Sequence, residues 1–84
     1  MSDSLSNFAF DLGGLLKEKA MAAKQSSMCA EEPDRQFELG RLMAYYEVLS
    51  LITQQAQAFG LSPDTLGLGS FDPDSELLTE GSNR

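Results

Sequence analysis

The sequence has 84 residues with thirteen acids against six bases, a net charge of −7, no histidine and one cysteine. That length makes one small domain whose own core stabilises it only marginally. The charge excludes nucleic-acid backbones and anionic membranes as direct partners, the lone Cys29 excludes an internal disulfide, and the missing histidines exclude the usual nitrogen-and-sulfur metal sites.

The first element is expected from about residue 4 to residue 29. Leu5, Phe8, Leu12, Leu15, Leu16, Ala20 and Ala23 recur there at helical steps of three and four, which marks one face of an amphipathic helix. Ser4 or Ser2 is the expected N-cap. Lys17, Lys19 and Lys24 lie toward the C-terminal half, where positive charge complements the helix dipole. Gly13-Gly14 interrupts this pattern, each glycine costing about 1 kcal/mol relative to alanine in a helix interior. Two readings follow: a tolerated weak point or break, with the helix proper starting near Leu15, or a place where two absent side chains let another helix approach closely.

Ala30-Glu31-Glu32-Pro33-Asp34 reads as a turn, with Pro33 at the first helical position of the next element. So short a connection predicts an antiparallel hairpin. The second helix is expected over about 34–59, on the order of 39 Å long, with Gly60 in the left-handed conformation and Leu61 packing back on the last turn. Leu42, Tyr45, Leu49, Ile52, Ala56 and Phe59 make its core row, and Leu39, Met43, Tyr46 and Leu51 a second row beside it. The stripe is wider than one partner helix covers, so two hairpins are expected to pair as a four-helix bundle. The extension over 61–80 carries two helix starts, Ser62-Pro63 and Asp72-Pro73, with Gly67 and Gly69 ending the first. Leu66, Leu68 and Phe71 either fold back over the hairpin, with Leu77-Leu78 capping its open end, or order only on a partner. Residues 81–84 are expected to form a disordered tail. The fold class is therefore all-α, an antiparallel two-helix hairpin with short C-terminal helical turns.

Candidate chemistry is sparse. Without histidine there is no ordinary base to activate a nucleophile, and Glu31 and Glu32 beside Cys29 make a poor setting for a reactive thiolate. Glu38 and Glu47 stand roughly 14 Å apart along a helix, ordinary solvated charges rather than a catalytic pair. Asp72, Asp74 and Glu76 alternate like the opening of a calcium loop, but Leu77 stands where glycine is needed and Asn83 where glutamate is. No enzyme activity, metal or cofactor is expected. Arg41 lies four residues before Tyr45, suited to stacking on it or to pairing with a carboxylate across an interface.

The expected function is a non-catalytic protein–protein interaction module, a small acidic homo-oligomeric adaptor or accessory protein. Its partners are itself, as a homodimer, and an unidentified protein. The interface residues are Leu39, Arg41, Met43 and Tyr46, with Glu31, Glu32, Asp34 and Glu38 near the turn. The alternative is an acidic inhibitor or antidote of phage or bacterial type, a nucleic-acid mimic included, that blocks a basic site on another protein. Met1-Ser2-Asp3-Ser4 lacks the basic stretch and apolar core of a signal peptide. The most apolar run, Leu39 to Ile52, is broken by Gly40, Arg41, Glu47 and Ser50 and is too short and polar to span a bilayer. A cytoplasmic location is the expectation.

Overall fold

A computed structural model describes residues 3–78. The expected cap Ser2, the end of the extension at 79–80 and the expected tail at 81–84 lie outside the described residues. Two long helices, α1 (Asp3–Cys29) and α2 (Asp34–Ala58), form the hairpin. A 3-10 turn (Pro63–Leu66) and a short helix, α3 (Pro73–Leu77), follow. No strand occurs among the described residues.

Both long helices are bounded close to where the pattern placed them. Ser4 lies inside the first turn of α1 rather than capping it. At the hairpin turn Pro33 occupies the N-cap of α2 rather than the first helical position expected for it. The other end closes as a Schellman motif: Leu61 N–H donates to the Ala56 carbonyl at 2.8 Å and Gly60 N–H to that of Gln57 at 3.1 Å. Gly60 adopts φ +70° to allow this. The side chains beyond that turn do not fold inward, however. Phe59, expected in the core row, is 74% exposed, and Leu61 is also exposed.

The seam between the helices follows a three-four spacing like that of a coiled coil. On α2 the inward positions are Leu42, Tyr45, Leu49, Ile52 and Ala56, with Leu49 fully buried. On α1 they are Gly13, Leu16, Ala20, Ala23 and Ser27, so the buried residues there are small. The buried Ser27 hydroxyl is satisfied by the Lys24 carbonyl at 2.8 Å. Leu68 and Leu77, both buried, come from the C-terminal segment and complete the cluster, with Leu66 and Phe71 packed against it. The segment therefore folds back over the hairpin, but α3 lies beside Lys24 and Tyr46 rather than capping the open end, and Leu78 stays exposed.

Gly13 explains why the helix tolerates its glycine pair. A Cβ at Gly13 would collide with the backbone carbonyl of Leu66, whereas one at Gly14 would meet open space. The 3-10 turn thus presses its backbone onto α1 where a side chain is absent. Gly67 is crowded in the same way: a Cβ there would collide with the Phe10 carbonyl, and its φ of +72° already favours glycine. Of the two readings of Gly13-Gly14, close approach holds for Gly13 alone, and it is the 3-10 turn rather than a long helix that approaches; α1 runs through both glycines without a break.

The two neighbouring glycines should therefore respond oppositely to alanine. Gly14→Ala should raise stability by about 0.5–1 kcal/mol, through helix propensity alone. Gly13→Ala should lower it by about 1–3 kcal/mol, the range of overpacking at a tight contact. Thermal unfolding followed by circular dichroism checks the signs, and an equal gain at both positions would contradict the close approach.

Candidate functional site

The C-terminal segment occupies one flank of each long helix. Successive residues turn about 100° around a helix, so each flank is a row at steps of three and four. On α1, Lys24 lies to one side of the buried row and donates from Nζ to the Glu76 carbonyl at 2.7 Å. Lys17 and Met21 share that side and line, with Leu68 and Phe71, a cleft of about 680 Å³ that opens widely to solvent. On α2, Tyr46 lies on the corresponding side and its hydroxyl donates to Asp74 Oδ1 at 2.6 Å. The C-terminal segment thus covers one face of the hairpin and touches both helices.

Although Phe10, Met21 and Met43 are exposed on the flanks toward the C-terminal segment, the opposite flanks carry more of the large apolar side chains. On α1 they present Leu5, Phe8, Leu12 and Leu15, all exposed, Phe8 by 63%. On α2 they present Phe37, Val48 and Leu51, also exposed, and Phe59 at the end of the row. The helices run antiparallel and face one another, so flanks that both point away from the C-terminal segment lie on one face of the hairpin. A small cleft lined by Ser26 of α1 together with Phe37 and Glu38 of α2 shows the two rows meeting at the turn end. Exposed large apolar side chains gathered on one face are uncommon on a protein surface, where they usually occur singly.

The structure distributes the expected interface residues over both faces. Leu39 and Tyr46 are half-buried on the flank facing the C-terminal segment, and Met43 is exposed at its outer edge. Tyr46 is held within the chain by Asp74, so that row meets the protein's own C-terminal segment. Arg41 alone of the four lies in the row of the open face, where it pairs with Glu38 one turn earlier. The Glu38 hydrogen bond raises the guanidinium above its ordinary value. Glu31, Glu32 and Asp34 are exposed together at the hairpin turn. Glu32 accepts from Gln36 Nε2 at 3.1 Å. Cys29 is a free, exposed thiol beside the turn.

Sequence reasoning missed Leu5, Phe8, Leu12 and Leu15 as surface residues because their spacing reads as a core face. The available signal was the run of small residues at the neighbouring inward positions 13, 20, 23 and 27. Among the described residues no cluster of three or more acidic or thiol side chains converges as a metal would require. No described helix is long and apolar enough to cross a membrane. A scan against protein-family models and searches of curated proteins and of solved structures returned no match.

The Tyr46–Asp74 hydrogen bond raises the tyrosine above its ordinary value of 10.0, with the Ser50 side chain opposing and the Asp72 charge adding to it. A raised folded-state value means that the bond supports the fold below about pH 10 and is lost as pH climbs through the raised value. An ultraviolet titration should show Tyr46 ionising above the ordinary tyrosine range, a component absent in Tyr46→Phe. In that variant amide exchange across residues 64–78 should quicken while α1 and α2 keep their protection. Unchanged exchange in the segment would show that the bond does not hold it.

Proposed function

We propose that the chain is a non-catalytic protein-interaction module, a small acidic adaptor or accessory protein that acts as a homodimer. The open faces of two hairpins close on one another, and the four helices form a bundle where they overlap. The observation that carries this reading is the row of exposed large apolar side chains shared by α1 and α2, on the face away from the C-terminal segment.

Two further points support a second copy as the occupant. Positions 5, 8, 12 and 15 on α1 and 44, 48, 51, 55 and 59 on α2 are all uncharged, although the chain holds thirteen acids. A second acidic copy therefore meets no like charge there. The half of the face with most of these side chains measures about 25 Å by about 20 Å, from helix rise and diameter. Covering it removes about 500 Å² on each copy, about 1,000 Å² in total, where specific interfaces begin. Burial of that face also supplements a core too small to be comfortable alone.

The turn acids Glu31, Glu32 and Asp34, with Glu38 beside them, stay off the most apolar part of the face and are left for a further protein partner. A free thiol suits a reducing compartment, and the cytoplasm is the setting assigned here.

Light scattering behind a size-exclusion column, at low and high salt, tests the proposal. The expected mass is twice the 9.1 kDa chain at both salts, because an apolar contact is little screened. Leu12→Glu should halve the mass while far-ultraviolet circular dichroism stays helical. A native protein of single-chain mass, or a Leu12→Glu variant that remains dimeric, would overturn it.

A further inference from the structure

The open face is not uniform along its length, and this restricts how two copies can meet. In its half nearest the helix termini, Phe8, Leu12 and Leu15 of α1 lie alongside Val48, Leu51 and Phe59 of α2. In the half nearest the turn, the same rows continue as Lys19, Ala22 and Ser26 opposite Ala44, Arg41 and Phe37. The large apolar side chains therefore concentrate at the open end, and two cations stand in the turn half.

Three arrangements of two such faces are possible. With both turns at the same end, apolar meets apolar, but Lys19 and Arg41 of both copies are enclosed. Glu31, Glu32 and Asp34 of each copy also gather within about 10 Å of their counterparts, the range over which salt does not screen them. With the turns at opposite ends and the helices overlapped along their whole length, the apolar half of each copy lies on the Lys19 and Arg41 half of the other. That buries Lys19 and the Arg41–Glu38 pair against hydrocarbon, where the loss of their hydration outweighs the pairing. With the turns at opposite ends and only the open ends overlapped, both costs vanish: the apolar halves cover one another, and the cations and turn acids remain in water.

We infer that the two copies dock antiparallel with only their open ends overlapped, so that the acidic turns, each with an exposed Phe37, stand at opposite poles of an elongated dimer. The inference rests on the homodimer reading above. It makes the protein a two-headed adaptor, offering the same acidic turn to two partner molecules at once.

Cys29 is the chain's one cysteine and is exposed beside the turn, so a nitroxide on the native side chain reports the separation of the two turns by pulsed electron paramagnetic resonance. With the helix rise of 1.5 Å per residue and the overlap centred near residue 10, the labels should stand about 55 Å apart. Full-length antiparallel overlap would place them about 40 Å apart, and turns at the same end within about 25 Å. As a second arm, Phe37→Glu should leave the dimer mass unchanged, since position 37 lies outside the overlap. A distance near 55 Å with a dimeric Phe37→Glu variant supports the inference. A shorter distance in a protein of dimer mass, or dissociation of Phe37→Glu with helicity retained, overturns the docking alone. A single-chain mass with no dipolar signal overturns the homodimer reading, and the docking with it.

Discussion

The close approach of α1 to its neighbours through small side chains is the constraint on which the rest of the molecule depends. Gly13, Ala20, Ala23 and Ser27 form the buried residues of that helix, so it contributes little volume of its own to the seam. Leu42 and Leu49 of α2 supply the bulk on one side, and Leu68 and Leu77 of the C-terminal segment supply it on the other. At Gly13 the approach is closest, because the backbone of the 3-10 turn rests where a Cβ would otherwise stand. A helix with large residues at these four positions would hold both neighbours several ångströms farther away, since well-packed interiors leave no room for added methylenes.

The same constraint decides what α1 does with its large side chains. Leu16 reaches the seam, whereas Phe8, Leu12 and Leu15 stand on the flank, next to the seam but outside it. The C-terminal segment then selects which flank stays open. Ser62 caps the 3-10 turn by accepting from Asp64 N–H at 3.2 Å, and Gly67 turns the chain back across α1. Pro73 begins α3 on the α2 side, where Tyr46 meets Asp74 and Lys24 reaches across from α1. With one face occupied by the chain itself, the apolar residues of the other face stay exposed.

Charge is arranged consistently with that division. Carboxylates crowd the turn at Glu31, Glu32 and Asp34 and the C-terminal segment at Asp64, Asp72, Asp74 and Glu76. The rows of the open face nearest the helix termini carry none. An acidic surface keeps such a chain soluble and opposes unspecific association, while a charge-free patch lets a chosen apolar contact form without like-charge repulsion. The proposed pairing and its orientation both draw on this separation.

Much of the architecture was legible in the sequence. Step-three-and-four spacing, the Pro33 turn, the Gly60 stop and the Ser62-Pro63 and Asp72-Pro73 starts located every described element to within a residue or two, because each depends on local backbone chemistry. The all-helical class and the hairpin followed from element type and connection length. The faces of the helices did not follow. Periodicity shows that Leu5, Phe8, Leu12 and Leu15 share a side, but cannot tell a buried row from one displaced onto the flank by the smaller residues beside it. It likewise placed Phe59 in the core and left Tyr46 for a second copy, where the fold exposes the first and gives the second to Asp74. The sequence by itself determined where helices begin and end, since caps and turns are settled among near neighbours. Only the tertiary structure decided which apolar residues are covered, because that depends on how closely Gly13 and the alanines let distant segments approach.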